Sequence, residues 1–120
     1  MVLVDTSIWV AHLREGHKQL GELLEQAVVA THPMIIGELA CGKIHKRREI
    51  FAMLETLPPA TVAEHEEVMA FIEKNELAGR GIGYIDAHLL ACAALSHMPL
   101  WTQDRSLKHV AASLKLAYLT

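Results

Sequence analysis

Four acidic residues lie next to or within strongly apolar segments of the sequence. Asp5 directly follows the apolar run Val2–Val4, and Asp104 follows the segment PLWTQ. Asp86 opens the apolar stretch AHLLACAAL, and Glu38 lies inside the segment MIIGELACG. If these carboxylates converge, their charges repel strongly in a low-dielectric cleft, and a divalent cation relieves the repulsion. Ligands that are all oxygen favour Mg²⁺ or Mn²⁺ over zinc.

Three of the acids also have an ordinary structural explanation. Asp5 and Asp104 each precede a predicted helix, so either could be a helix N-cap. Asp86 falls in a first helical turn, where the helix dipole favours an acid. Leu89 and Leu90, three and four positions on, nevertheless place Asp86 on the apolar stripe of its helix. Each residue alone therefore leaves both interpretations open.

Glu38 is harder to explain structurally, because it lies in mid-helix. Met34, Ile35 and Cys41 are its helical neighbours, which predicts a carboxylate on a buried apolar stripe. Such a group needs a cation, a metal or several donors nearby. A single buried salt bridge to a lysine or arginine is the alternative.

Hydroxyl groups accompany the acids in sequence. Thr6 and Ser7 follow Asp5, and Thr102 precedes Asp104 by two positions. A hydroxyl both donates and accepts hydrogen bonds, so these residues are suited to holding a water or a phosphate oxygen beside the carboxylates.

Other catalytic motifs are missing from the sequence. None of the eight histidines has zinc-site spacing, and HEEVM at His65 lacks the second histidine of HExxH. The segment GRGIGY follows a predicted helix rather than a strand, and Tyr84 stands where a dinucleotide fingerprint needs its third glycine. Nothing in the chain matches a Walker A loop or a nucleophile elbow.

The elements that must position these residues alternate along the chain. Short apolar strands are predicted at VLV, VVATHP, MPLWTQD and LAYL, and amphipathic or apolar helices are predicted between them, including one over TVAEHEEVMAFIEKNEL. This alternation predicts an α/β fold: a short parallel sheet covered by helices on both faces. Ligand sites in such sheets lie beyond the carboxyl ends of the strands, where Asp5 and Asp104 are expected.

Length and composition bound the class of protein. With 120 residues, 52% of them hydrophobic, we expect one domain over residues 1–120. The net charge of −3 decides little about a nucleic-acid partner, because the four acids alone exceed it. Cys41 and Cys92 lie outside any CxxC pattern and are predicted to be buried free thiols in a reducing compartment. No signal peptide or membrane-spanning run is evident, so a cytoplasmic protein is expected.

The motifs VDTS, GELACG, YIDAHLLACAAL and LWTQD, in this order, resemble those of PIN-domain ribonucleases, and among them the VapC-type toxins of toxin–antitoxin pairs. The resemblance covers nearly the whole chain. It implies a three-layer α/β/α sandwich in which Asp5, Glu38, Asp86 and Asp104 form the catalytic acidic cluster. Thr6 and Thr102 match the accessory hydroxyl positions. Asp5, Asp86 and Asp104 would hold Mg²⁺ or Mn²⁺, directly or through water, and Glu38 would orient or deprotonate the attacking water.

The resemblance also implies an activity and partners. The activity would be endonucleolytic hydrolysis of RNA, often a tRNA or a ribosomal RNA loop, leaving a 5′-phosphate. The partners would be a cognate antitoxin and a second copy of the chain. Ser106 and Leu107 stand where many relatives carry an acid and an aromatic residue, and His88 stands where many are aliphatic. These departures concern the edge of the site and its substrate preference.

Basic residues near the acids are candidate RNA contacts, and each is also explained by an ordinary solvated surface. They are Arg14, Lys43, Lys46, Arg47, Arg80 and Arg105.

Two other functions stay open from the residues alone. An aspartate-based phosphatase would use similar strand-end acids, but VDTS lacks the second aspartate of a DxD arrangement. A catalytically silent RNA-binding or interaction module would keep the fold and bind metal weakly.

Overall fold

Three short strands form a parallel sheet at the centre of the computed structural model, which describes residues 1–119. The strands are β1 (Val2–Val4), β2 (Val29–Ala30) and β3 (Leu100–Trp101), in the order β2-β1-β3. Every residue of the three strands is buried, which is why the strands are apolar throughout rather than alternating.

Seven helices are formed within the described part of the chain. They are α1 (Thr6–Glu15), α2 (Lys18–Glu25), α3 (Pro33–Ala40), α4 (Arg47–Thr56), α5 (His65–Lys74), α6 (Tyr84–Leu95) and α7 (Arg105–Ser113). None of them is long and apolar enough to cross a membrane. Sheet and helices together form the three-layer α/β/α sandwich predicted from the sequence, and this prediction is confirmed.

The central strand β1 sets the register of the sheet. Leu3 lies opposite Ala30 of β2 and opposite Leu100 of β3. Since both pairings are parallel, the carboxyl ends of β1 and β3 point to the same edge of the sheet. The residues that follow these two strands are therefore brought together.

The core is built from the sheet and from the inner faces of the helices. Helix α1 buries Ile8 and Trp9, and α3 buries Ile35 and Leu39. Helix α6 buries every residue from 87 to 93, so its central turns are surrounded by protein. Burial on this scale holds α6 rigidly against the sheet.

Several predicted elements differ in extent. The strands predicted at VVATHP and MPLWTQD are formed only at Val29–Ala30 and Leu100–Trp101. The helix predicted from Thr61 begins at His65, because Glu64 is its N-cap and the Glu64 N–H donates to Glu67 Oε1 at 2.8 Å. The predicted strand LAYL is reduced to an isolated bridge between Ala117 and Leu100 within the described residues.

Candidate active site

Asp5 lies at the carboxyl end of β1 and is buried, with 7% of its surface exposed. The Ser7 hydroxyl donates to Asp5 Oδ2 at 2.9 Å, and the Thr102 hydroxyl donates to the same oxygen at 2.7 Å. Asp5 occupies the N-cap position of α1, but its side chain makes no capping hydrogen bond. Two hydroxyls, rather than a helix end, therefore orient this carboxylate.

Asp104 follows β3 and does cap a helix. Its Oδ2 accepts the N–H of Leu107 at 2.8 Å, and its own N–H donates to Thr102 Oγ1 at 3.0 Å. The cap predicted as the ordinary explanation is thus present, and it engages only one carboxylate oxygen. The side chain is exposed, and its second oxygen, Oδ1, takes no part in the cap.

Asp86 is the third residue of α6 and is partly buried. Burial raises the pKa of its carboxyl group, and the negative charges of Asp5, Asp104 and Glu38 raise it further, while the Gly83 N–H at 3.4 Å acts in the opposite direction. The other three carboxylates thus lie near enough to Asp86 to raise its pKa by charge repulsion.

Glu38 is exposed, so the prediction of a carboxylate on a buried stripe is wrong. Helix α3 turns Ile35 and Leu39 into the core and leaves Glu38 on its outer face. Glu38 Oε1 accepts the Thr6 hydroxyl at 2.7 Å, and this hydrogen bond joins α3 to the start of α1, directly after Asp5. The carboxylate is held at the rim of the site, in contact with solvent.

The hydrogen-bond partners of the four carboxylates are neutral throughout residues 1–119. They are the hydroxyls of Thr6, Ser7 and Thr102 and the backbone N–H groups of Gly83 and Leu107. Glu38 is therefore held by the Thr6 hydroxyl and not by the buried salt bridge that the sequence left open. A cluster of acids supported by neutral donors keeps its negative potential.

The donor set fits a hard divalent cation. Carboxylates and hydroxyls supply only oxygen ligands, the kind that Mg²⁺ and Mn²⁺ prefer. No three of the four carboxylates place oxygens within 4.8 Å of one another in the described structure, so they do not form a closed cage. Mg²⁺ keeps several waters and usually takes one or two carboxylates directly, which suits this wider spacing.

A small cavity of about 150 Å³ opens beside Glu38. Arg14 and Lys43, two of the predicted RNA contacts, line it together with His45 and apolar residues of α1 and α3. Cationic side chains on such a concave surface are of the kind that contacts phosphate groups.

Arg47 makes contacts within the chain. Its guanidinium donates to the carbonyls of Ala40 at 2.7 Å and Gly42 at 3.2 Å, and it lies over the Phe51 ring at 5.0 Å. These contacts satisfy carbonyls at the carboxyl end of α3. Arg47 therefore supports the helix carrying Glu38, and its contact with RNA stays a prediction.

The remaining predicted RNA contacts are spread over the surface. Lys46 and Arg105 are exposed, and Arg80 donates to Ser113 Oγ of α7 at 3.2 Å. The structure therefore brings Arg14 and Lys43 to Glu38 and does not place the other four in the same cavity.

Ser7 contributes more to the site than its sequence position indicates. Besides donating to Asp5, its hydroxyl accepts the Gln103 N–H at 2.9 Å and lies 3.3 Å from Thr102 Oγ1. It thus links the segments that follow β1 and β3. Its place two residues after Asp5 is the only signal in the sequence for this role.

The two cysteines differ from each other. Cys92 is buried, as expected, whereas Cys41 is exposed at the end of α3, so the prediction of two buried thiols is wrong for Cys41. Helix α3 ends at Ala40, which releases Cys41 from the core.

Comparison of the sequence with known families matches residues 2–113 to the PIN domain. The chain is 41% identical over 118 residues to Ribonuclease VapC32 of Mycobacterium tuberculosis, in both strain CDC 1551 / Oshkosh and strain H37Rv. The match covers 98% of this chain and 95% of that protein.

Solved structures share the fold at lower sequence identity. The crystal structure of PAE2754 from Pyrobaculum aerophilum superposes with a TM-score of 0.63 at 21% identity, covering 91% of this chain and 78% of that one. The crystal structure of FitAcB from Neisseria gonorrhoeae gives a TM-score of 0.64 at 19% identity, covering 100% of this chain and 97% of that one.

Proposed function

Because the chain belongs to the PIN-domain family, and within it to the VapC type, we propose that it is a divalent-metal-dependent endoribonuclease. One observation carries the proposal. Asp86 is repelled by Asp5, Glu38 and Asp104, and the hydrogen bonds of all four acids come from neutral groups. Such an arrangement favours a bound cation, and oxygen ligands select Mg²⁺ or Mn²⁺. We take residues 1–120 as a single nuclease domain.

Asp5 and Asp86 are the proposed direct ligands of the ion. Ser7 and Thr102 occupy Asp5 Oδ2, which leaves Oδ1 for the ligand role. Asp104 uses Oδ2 for its helix cap, so its contribution is through Oδ1, by way of water or a second ion. When bound, the ion supplies Lewis-acid charge at the scissile phosphate.

Glu38 is the proposed residue that positions the attacking water. Its Oε1 is occupied by the Thr6 hydroxyl, and its exposure leaves Oε2 open to a water molecule. Oε2 accepts the water proton as the oxygen attacks phosphorus in line, and the 3′-oxygen leaves. The leaving 3′-oxygen takes up a proton from solvent, so the products carry a 5′-phosphate and a 3′-hydroxyl. Arg14 and Lys43 hold neighbouring phosphates in the cavity beside Glu38.

The relative named Ribonuclease VapC32 supports a toxin role, with a tRNA or ribosomal RNA as the proposed substrate. A water nucleophile has no need of the 2′-hydroxyl, so the preference for RNA is proposed to come from shape and single-stranded loops. The proposed partners are a cognate antitoxin and a second copy of the chain. Since the substrate is cellular RNA, the proposed location is the cytoplasm.

Sequencing of cleaved RNA ends tests the activity. Purified protein is incubated with total RNA in Mg²⁺ or in EDTA, and 5′-phosphorylated ends are mapped. Wild type should cut at few sites in Mg²⁺ only. The Glu38→Gln variant should cut at least about 100-fold more slowly while unfolding at the same temperature, because Glu38 is exposed. Glu25→Gln, an exposed glutamate on α2, is the matched control.

Equal cleavage by wild type and Glu38→Gln, or cleavage that persists in EDTA, would overturn the assignment. Expression of the chain alone should arrest growth, and co-expression of a neighbouring open reading frame should relieve the arrest. No arrest on expression of active enzyme would contradict the toxin role and leave the nuclease activity standing.

A further inference from the structure

A second group of potential metal ligands lies in the core, apart from the acidic cluster. His32, His88 and Cys92 are exposed by 0%, 4% and 0% of their surfaces, respectively. His32 caps α3 at its amino end, whereas His88 and Cys92 lie on α6. One ligand atom from each of the three side chains lies within 4.8 Å of the others.

The hydrogen bonds of this cluster define its protonation. His32 Nδ1 accepts the Met34 N–H at 3.0 Å, so the ring proton of neutral His32 is on Nε2. His32 Nε2 then donates to Cys92 Sγ at 3.1 Å, and the Ala63 N–H donates to the same sulfur at 3.3 Å. Burial raises the pKa of the Cys92 thiol, and the Ala63 N–H directed at the sulfur acts in the opposite direction.

The imidazole ring of His88 is buried without polar partners in the part of the chain that the structure describes. Both of its ring nitrogens are buried and have no hydrogen-bond partner among the described residues. Its ring packs edge-on against that of His32, with 5.0 Å between centroids, so the nitrogens are directed into protein rather than to water. A buried imidazole without partners is costly, and such groups are rare in folded proteins.

The spacing of the three side chains suits three of the four ligand positions around a tetrahedral ion. His88 and Cys92 are four residues apart on α6, so they project from the same face of the helix. Zinc bonds of roughly 2.0–2.3 Å to nitrogen and sulfur place tetrahedral ligands about 3.5 Å apart. The His32–Cys92 separation of 3.1 Å is close to this value, and the limit of 4.8 Å for the group leaves a closing movement of about 1 Å.

We propose that His32, His88 and Cys92 form a second metal site, specific for a zinc-class ion and separate from the carboxylate site. Imidazole and thiolate ligands select Zn²⁺ or Co²⁺ and discriminate against Mg²⁺, which the carboxylates prefer. The ion would connect α6, which carries Asp86, to the amino end of α3, which carries Glu38. The site therefore braces the two helices that hold half of the acidic cluster.

Binding requires a defined movement of protons. The Cys92 S–H bond breaks, the sulfur keeps the electron pair as a thiolate, and the proton leaves to solvent. The His32 proton moves from Nε2 to Nδ1, so that the Nε2 lone pair faces the ion. The His32 ring then gives up two hydrogen bonds, the one from the Met34 N–H and the one that its Nε2 donates to Cys92 Sγ, in exchange for the metal bond.

Titration of the purified full chain with Co²⁺, in a phosphine reductant and excess Mg²⁺, tests the site. Wild type should develop the near-ultraviolet thiolate-to-cobalt charge-transfer band and the visible bands of tetrahedral Co²⁺, saturating at one ion per chain. Zn²⁺ should displace the signal, and Mg²⁺ should not. The readout is independent of RNA cleavage, so its failure leaves the nuclease assignment untouched.

Variants separate this site from the other thiol. Cys41→Ala, at the exposed cysteine, should leave the cobalt spectrum unchanged, whereas Cys92→Ala should abolish the charge-transfer band. If Cys92→Ala does not fold, the His88→Leu variant tests whether the core cluster binds Co²⁺. It removes the unpartnered ring nitrogens, so it should unfold at a higher temperature than metal-free wild type, yet weaken Co²⁺ binding at least tenfold.

A wild-type chain without a charge-transfer band would overturn the proposal. So would a band that depends on Cys41 rather than Cys92, or a His88→Leu variant that binds Co²⁺ as tightly as wild type.

Discussion

Thr102 Oγ1 lies 2.7 Å from Asp5 Oδ2, although the two residues are 97 positions apart in the chain. The same hydroxyl accepts the Asp104 N–H at 3.0 Å, so one buried side chain positions the acids that follow β1 and β3. Removal of this hydroxyl should therefore affect the geometry of the site more than the folding stability of the protein.

Thr102→Val should lower RNA cleavage about 10- to 100-fold, the range typical for loss of a group that orients a metal ligand. The free energy of unfolding should fall by about 1–2 kcal/mol, because the Asp104 N–H loses its acceptor. Thr102→Ser keeps the hydroxyl and should retain most activity. Cleavage rates and thermal unfolding of the two variants check this, and equal activity of the valine variant and wild type would contradict it.

Asp86→Asn should abolish cleavage and stabilise the metal-free protein at pH 7. Burial and the charges of Asp5, Asp104 and Glu38 raise the pKa of Asp86, so the ionised form is disfavoured in the folded state. The resulting penalty develops as the pH rises above the ordinary pKa of 3.8 and persists at neutral pH, where the neutral amide escapes it. Thermal unfolding in EDTA measures the effect. A lower unfolding temperature for the variant would argue against repulsion within the cluster.

The metal-free protein should lose stability as the pH falls from about 6.5 to 4, in part through His32. Burial, followed by the nearby His88, lowers the pKa of His32 from 6.5 to about 4. Unfolded chains take up this proton near pH 6.5, whereas the folded protein does so only near pH 4, so acid favours unfolding across that window. The loss amounts to up to about 3 kcal/mol.

Urea unfolding of wild type and His32→Asn at several pH values, in EDTA, measures this contribution. The asparagine variant keeps a capping oxygen for α3 but does not titrate, so its stability should depend less on pH. His109→Asn, at an exposed histidine, should behave like wild type. Identical dependence of stability on pH for His32→Asn and wild type would show that His32 is not the source of the acid destabilisation.

Lys43→Glu should weaken RNA binding and reduce the slope of log K against log salt by about one unit. Lys43 lines the cavity beside Glu38, whereas exposed Arg48 lines a different groove, between α3 and α4. Arg48→Glu is therefore the matched charge-reversal control and should have the smaller effect. Binding is measured in the Glu38→Gln background, which leaves the RNA intact. An equal loss in both variants would indicate a diffuse charge effect rather than a contact.

Arg47→Ala should destabilise the protein by about 1 kcal/mol, because the guanidinium satisfies two carbonyls at the end of α3 and packs over Phe51. The neighbouring Arg48→Ala should change the unfolding temperature little. Thermal unfolding of the pair distinguishes a structural arginine from an RNA contact. Unchanged stability accompanied by weaker RNA binding in Arg47→Ala would show that Arg47 contacts RNA and is not needed for stability.

The sequence by itself predicted the parallel sheet and the position of the acids at the carboxyl ends of its strands. The predicted strands VLV, VVATHP and MPLWTQD contain the three observed ones, and parallel strands bring their carboxyl ends to one edge, so Asp5 and Asp104 could be placed before any coordinates. The four motifs, in their order, identified the family that the comparisons confirm. These features are local or topological, which is why a pattern in the chain is enough to predict them.

Only the tertiary structure decided which way individual side chains face. Helix α3 is apolar on most sides, so its pattern could not indicate that Ile35 turns inward and Glu38 outward. The contacts of Ser7 and Thr102 with Asp5 and the approach of His32 to Cys92 join segments distant in sequence. Such pairs form when the helices pack on the sheet, because the lengths of the helices and the register of the strands bring distant segments together. Periodicity along one segment carries no information about which distant segment it will contact.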